Sequence, residues 1–344
     1  MWRPLSSATT PRGPAFRGRL AGMRAAATAA SVLVLLAGCS SPAVPSADPT
    51  PSPTTASATP PEPSPPPTPT DPPSPPRVSP DDAEVRIAME AVRHLALAIG
   101  PRPGTSPAYF RAAAWVEQQL TDTGWTVRRQ RFATPAGFSW NAPVAAGPSV
   151  NLVATQGELR PGEPWLAVGA HLDTVPLAPG AEDNASGIGV LLALAEALRD
   201  TRSRLPVVLI AFGSEEPRGE GDEHHHYGSR AYVASLTPPQ RRSLRGMVSL
   251  DRVGVGDVLP VGTPAEPNAL TDALVRAAED AGVETVIDTF QRSSDHWSFA
   301  RDGLPGARLG GTSYGAYHDE TDLPSVVDRA QLERTARTVL AWLR

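Results

Sequence analysis

Five residues of this chain offer the oxygen and nitrogen donors that a divalent cation takes: His171, Asp183, Glu216, Asp251 and His318. The 344 residues include one cysteine, Cys39, so a disulfide framework, an iron–sulfur cluster or a zinc site built on thiolates is excluded. A metal centre here must use imidazoles and carboxylates, a donor set that suits Zn²⁺ or a similar ion. Five protein ligands exceed what one catalytic zinc takes while keeping an open position, and the count favours two metals sharing a carboxylate. Singly each residue is a weak signal, because a histidine after a strand is commonly structural and a Glu-Glu pair is commonly solvated. The set carries the reading.

Such residues need elements to bring them together. Ser79-Pro80-Asp81-Asp82 is a helix-start signal, followed by Val85, Ala88, Met89, Val92, Leu95 and Ala96 at helical spacing, which predicts a helix ending near Gly100. A second helix is predicted from about Ser106 to Thr123, and the alternation from Trp125 to Arg128 reads as a strand. Short apolar runs follow at Val150 to Ala154, Trp165 to Ala170, Pro206 to Phe212, Gly246 to Leu250, Val283 to Ile287 and Gly306 to Leu309. Between them lie helical patterns at Asn184 to Arg199, Gly228 to Leu236, Asn268 to Ala281 and Asp328 to Leu343. Strands alternating with helices imply an α/β fold: one domain of three layers, with a mixed, mainly parallel central sheet covered on both faces. Sheets of this kind bind ligands at the carboxyl ends of their strands. Three of the runs lead directly into His171-Leu172-Asp173, Gly213-Ser214-Glu215-Glu216 and Asp251, which places those residues on one rim.

Six stretches, in order, then resemble the successive motifs of the di-zinc metallo-aminopeptidases, a family that also contains glutaminyl cyclases: AHLDT (170–174), GAEDNASGIGVLLALAEAL (180–198), FGSEE (212–216), LDRVG (250–254), SDHWSF (294–299) and YHDETD (317–322). The resemblance implies a zinc exopeptidase fold of the phosphorylase/hydrolase-like kind, two Zn²⁺ ions, and hydrolysis of the N-terminal peptide bond of peptides. It makes Asp183 the bridging ligand, gives one metal His171 and Asp251, and gives the other Glu216 and His318. Glu215 matches the general base, which would take a proton from water and deliver it to the leaving amine. Tyr317 matches a tyrosine that hydrogen-bonds the developing oxyanion. Asp173 is placed to orient the His171 imidazole. Asp295-His296 also matches a motif, read here as structural and near the pocket. Asp183 is expected at the start of a helix whose dipole favours an anion, with Asn184 and Ser186 as candidate caps.

The chain departs from the family pattern after Glu216, where residues 217–227, PRGEGDEHHHY, replace a short glycine-rich link. This is either a solvated polar loop, or one whose Asp222, Glu223 or His224, His225 and His226 shape substrate choice or bind an accessory metal. Rival readings are a glutaminyl cyclase-like or carboxypeptidase-type relative, a zinc peptidase with an inserted lid domain, and a surface zinc-binding lipoprotein without turnover. The 68 residues from Asp251 to His318 are too few and too α/β-like for a lid domain. An intact Glu215 argues against pure metal binding, which needs no base.

Residues 1–39 hold five arginines and no acid, then an apolar run from Ala25 to Ala37 that is too short to span a bilayer and reads as a secretory signal. Its end, Leu36-Ala37-Gly38-Cys39, resembles the bacterial lipobox, which implies a signal peptide over 1–38 and lipidation of Cys39. Met23-Arg24 with the following run forms a complete signal alone, so translation from Met23 is an alternative. Residues 39–80 hold 17 of the 39 prolines, with serine and threonine and few large apolar side chains. They read as an extended linker, reaching on the order of 100 Å at about 3.1 Å per residue. The catalytic domain is then 81–344, held at the extracytoplasmic face of a membrane. The chain has no lysine and a formal net charge of −5, which argues against nucleic-acid partners. A monomer acting on peptides is expected.

Overall fold

The structure, a computed structural model, describes residues 74–344; the signal, Cys39 and nearly all of the proline-rich stretch lie outside the described residues. Packing begins slightly before Asp81, because Val78 is fully buried and Arg77 bridges Arg202. Ser79 and Asp82 cap each other's backbone over the turn Pro80–Asp82. Helix α1 (Val85–Arg93) continues as a wider turn through Ile99 and stops at Gly100, and α2 (Pro107–Asp122) starts where Ser106 accepts from Tyr109 N at 3.1 Å.

Ten strands follow: β1 (Thr126–Thr134), β2 (Gly137–Ser139), β3 (Ala142–Val144), β4 (Gly147–Thr155), β5 (Trp165–His171), β6 (Val207–Phe212), β7 (Leu244–Leu250), β8 (Leu259–Gly262), β9 (Thr285–Asp288) and β10 (Gly306–Leu309). Eight of them form one sheet in the order β1-β4-β6-β5-β7-β10-β8-β9, and β2 with β3 makes a separate hairpin. The pairs β6/β5, β5/β7, β7/β10 and β8/β9 are parallel; β1/β4, β4/β6 and β10/β8 are antiparallel. The sheet is therefore mixed and mainly parallel, as expected.

Six further helices are α3 (Ser186–Ala197), α4 (Tyr227–Ser235), α5 (Pro238–Ser243), α6 (Ala269–Asp280), α7 (His296–Ala300) and α8 (Arg329–Leu343). Helix α3 is buried at every position except Glu196, because its sequence is apolar all round and it runs beneath α1, α2 and α8. On the other face Phe212, Tyr232 and Phe299 join β6, α4 and α7 in a second cluster. Both faces are covered and the three-layer expectation holds. Strands β5 and β6 are buried at every residue, which is why they read as continuous apolar runs rather than alternations. A Cβ at Gly169 would run into the Phe212 ring, so this glycine sets the approach of a side chain across the sheet. Truncating a buried leucine here, such as Leu209→Ala, should cost about 2–5 kcal/mol.

The central parallel strands end in register. His171 pairs with Phe212, the residue before Gly213, and Gly169 pairs with Ser249 two residues before Asp251. One rim thus receives His171, the Gly213–Glu216 turn and Asp251 together.

Candidate active site

His171 closes β5 with its ring turned to the rim. Nε2 lies 3.1 Å from Asp183 Oδ1 and 3.8 Å from Asp251 Oδ1, while Nδ1 is 3.1 Å from the Asp173 backbone oxygen. The Asp173 carboxylate was expected to orient this imidazole, but its nearer oxygen stands 3.9 Å away. It instead accepts from Glu215 N at 3.0 Å and Glu216 N at 3.3 Å. The carbonyl fixes the histidine, and the carboxylate fixes the turn that carries the two glutamates.

Asp183 is held by its neighbours rather than by a helix dipole. It and Asn184 have non-helical backbones, the peptide between them is cis, and α3 begins only at Ser186. Asp322 accepts from Glu182 N at 2.9 Å and Asp183 N at 3.1 Å, and receives the Tyr314 hydroxyl at 3.1 Å. Asn184 Oδ1 caps the helix by accepting from Gly187 N at 3.0 Å, and its Nδ2 donates to Leu250 O at 2.8 Å, next to Asp251. Ser186 does not cap; its hydroxyl donates to Glu182 O.

The second Asp183 oxygen, Oδ2, lies 3.0 Å from His318 Nε2, which is 3.7 Å from Glu216 Oε2. His171, Asp183 and Asp251 form one buried group of donors and Asp183, Glu216 and His318 another, each with atoms within 4.8 Å of one another. The two oxygens of one aspartate thus face two different groups. Of the sequence-predicted residues, all five candidate ligands and Glu215 meet here. Tyr317 stands at the mouth, its ring stacked on His318 at 3.7 Å and covered by the Arg252 guanidinium at 4.4 Å. Asp295 and His296 are buried and lie outside both groups; His296 Nε2 is 3.0 Å from Gln291 O.

Electrostatics supports a cation site. Burial would lift Asp251, but Arg308 and His171 outweigh it and hold the carboxyl well below its usual range. Asp183 is likewise depressed by His171 and His318 against the burial penalty. Burial, then Asp251, Asp173 and Asp183, push Glu215 up to about 7 in spite of His171. Burial with Asp183 and Glu215 raises Glu216 well above its ordinary value. His171 is raised too, since Glu215, Asp183 and Asp251 overcome its burial. Protons accumulate because the carboxylates outnumber the cations, and divalent ions would relieve that excess. Glu216 Oε1 and His318 Nδ1 have no hydrogen-bond partner. Donor type, spacing and charge all fit divalent metal.

Three contributors escaped the sequence reading. Arg308 on β10 is buried, with Nη2 3.3 Å from Asp251 Oδ1 and Nη1 2.8 Å from Ser293 Oγ. Its signal was a lone charge in an otherwise apolar strand. Asp322 stood inside the quoted YHDETD motif and Arg252 beside Asp251; His226, named within the variable loop for substrate choice or an accessory metal, instead has its Nε2 3.1 Å from Glu215 Oε1. The cavity over the site measures about 390 Å³ and is walled by Trp140, Phe290 and Tyr317 with Arg252 and Arg292.

Comparison with known proteins agrees with this geometry. The aminopeptidase YwaD of Bacillus subtilis (strain 168) is 34% identical over 147 residues, 41% of this chain and 31% of that protein. The chain spans about half the length, or less, of several curated relatives it matches. BSAP, a zinc aminopeptidase from Bacillus subtilis, superposes with TM-score 0.67 at 19% identity, covering 76% of this chain and 94% of that one. A Porphyromonas gingivalis glutaminyl cyclase superposes with TM-score 0.64 at 21% identity, covering 76% and 98%. These two likenesses establish the fold and not the reaction. The model of peptidase family M28 matches residues 151–343, a span that begins on β4, ends on α8 and contains all five candidate ligands, and the chain belongs to that family.

Proposed function

We propose that this chain is a metal-dependent aminopeptidase that removes N-terminal residues from peptides, using two zinc ions held by His171, Asp183 and Asp251 on one side and Asp183, Glu216 and His318 on the other. The observation that carries the reading is Asp183, whose Oδ1 and Oδ2 lie 3.1 Å and 3.0 Å from the histidines of separate groups. Divalent ions bound there would bring the pKa of water toward neutrality and polarise a carbonyl. Glu215 borders the same cavity. It takes the proton of the attacking water and passes it to the departing amine, a role suited to a carboxyl pushed toward neutral pH. The Tyr317 phenol, raised by burial and by Asp183, stays protonated and can donate to the oxyanion. Trp140, Phe290 and Tyr317, exposed on the cavity wall, would pack against the first side chain of a peptide.

Metal content by mass spectrometry, measured beside hydrolysis of leucine- and arginine-p-nitroanilide, tests the reading. Two zinc ions per chain with release of p-nitroaniline is the expected result. One zinc per chain with cyclisation of N-terminal glutamine would replace the aminopeptidase with a cyclase.

The same reading places the enzyme outside the cytoplasm as a monomer, tethered by lipid on Cys39. The support for export and the tether is the sequence of residues 1–80. Replacing Cys39 by serine should move the protein from the membrane fraction to the soluble one. Retention in the membrane would remove the anchor.

A further inference from the structure

The segment between Glu216 and α4 is exposed from Glu220 to Glu223 but anchored on either side of that stretch. It leaves the rim and is stitched back onto it: Arg218 N donates to His224 O at 2.8 Å, Tyr227 N to Ser214 O at 2.9 Å, and His226 N to Glu215 O at 2.9 Å. Asn151 on β4 clamps both ends, accepting from Gly213 N at 3.0 Å and donating to Gly228 O at 2.8 Å. A Cβ at Gly228 would collide with the Gly213 carbonyl, so the return is as close as a backbone permits. His226 itself sits in the left-handed region at φ +58°, a conformation uncommon for a residue with a side chain. That backbone turns the imidazole inward. His226 is 3% exposed, and its Nε2 lies 3.1 Å from Glu215 Oε1 but makes no hydrogen bond with that oxygen or any other group. The carbonyl of His226 accepts from Arg230 N at 3.0 Å and from Ser229 Oγ, which also reaches Ser298 on α7. The His226 backbone is thereby tied to α4 and, through Ser229, to α7.

We propose that His226 is a positioning residue that holds one oxygen of the Glu215 carboxylate in place, leaving the other free for proton transfer. The role rests on Glu215 being the base. The imidazole belongs to none of the buried donor groups, and Glu215 Oε1 is an acceptor within reach of its unpartnered Nε2, so a small turn of the ring would pair them. An amide at the same reach keeps the contact: the Nε2 of glutamine stands as many bonds from Cα as the Nε2 of histidine. Asparagine is too short to reach Glu215 and tolerates the left-handed backbone, so His226→Asn removes the contact without straining the turn.

The test compares His226→Asn, His226→Gln and Glu215→Gln in the zinc-loaded enzyme, reading kcat and KM on leucine-p-nitroanilide, metal content by mass spectrometry, and melting temperature. His226→Asn is expected to lower kcat on the order of 10- to 100-fold, the cost of a misplaced catalytic group, with KM and zinc content unchanged. His226→Gln is expected to recover most of that loss. Wild-type kcat in His226→Asn, with Glu215→Gln inactive, would overturn the positioning role and leave the base standing. Loss of zinc in His226→Asn, or no recovery in His226→Gln, would likewise overturn it. Undiminished turnover in Glu215→Gln would remove the base, and with it the need to position one.

Discussion

Asp183 faces both donor groups, so the roles of the remaining residues separate according to which of its oxygens they share. His171 belongs to the Oδ1 side. His171→Ala should lose metal together with activity. Glu215 contributes to neither proposed ligand set, and Glu215→Ala should keep its metal while kcat falls by about two to four orders of magnitude. Zinc content and turnover measured on the two variants check both outcomes, and a Glu215→Ala enzyme as active as the parent would contradict the assignment. Arg308 supplies a third prediction. It is buried beside Asp251, with Nε unpartnered and Nη2 also donating to the Asp251 carbonyl at 3.2 Å. In metal-free protein it is the foremost of the cations that compensate Asp251, ahead of His171. Arg308→Met should therefore destabilise the chelated protein by about 3–5 kcal/mol, as breaking a buried pair does. The melting point should fall by roughly 10 °C, and zinc should restore much of the difference. A variant whose melting point is equally lowered with zinc and with EDTA would show that Arg308 supports packing alone.

Among the elements, the hairpin β2–β3 carries Trp140 to the cavity wall. Its turn residues Trp140 and Asn141 have φ of +46° and +61°, the two left-handed positions of a tight hairpin turn. Asparagine suits that backbone and tryptophan does not. The indole nevertheless packs edge-on to His318 at 4.3 Å and to Tyr317 at 5.8 Å. Trp140→Asn should leave the fold as stable as before and raise KM several-fold, in keeping with about 0.5–1.5 kcal/mol for an aromatic contact. An unchanged KM would mean that this wall touches no substrate. Nothing in residues 137–144 signalled such a hairpin, since its strands have three residues each and one contains Pro143. Strand β8, four residues with a proline and a glycine, and α7, five residues, were illegible for the same reason: too short for a period to register. Helices α3 and α8 and strands β4 to β7 were legible because burial imposes long apolar patterns on them. The six ionisable residues at the rim were legible from strand ends and motif order. Arg308 was not, nor was the approach of His226 to Glu215, because a contact made across the fold leaves no local spacing.

At the scale of the whole molecule, folding stability against pH is governed by how the buried ionisable groups titrate, and the adjacent pair Asp295-His296 gives two opposed slopes. His296 is fully buried; desolvation, with Arg308 adding to it, lowers its pKa from 6.5 to about 3 against the hydrogen bond to Gln291. In the unfolded chain the imidazole gains a proton below pH 6.5 while the folded one stays neutral, so its contribution to stability is complete above 6.5 and is lost as pH falls toward 3. Asp295 is buried with both carboxylate oxygens unpartnered, and burial together with Glu215 lifts it from 3.8 to about 7. Here the folded state retains the proton longer, so stability is complete below 3.8 and declines as pH rises toward 7. Between about pH 4 and 6.5 the two effects cancel, each near 1.4 kcal/mol per pH unit. Single variants should expose them in metal-free protein by urea unfolding across that range. His296→Gln keeps an amide for Gln291 and should grow more stable relative to the parent as pH falls, whereas Asp295→Asn should gain relative to the parent as pH rises. Parallel pH curves for parent and both variants would mean that these groups titrate alike in the folded and unfolded chain, which their complete burial argues against.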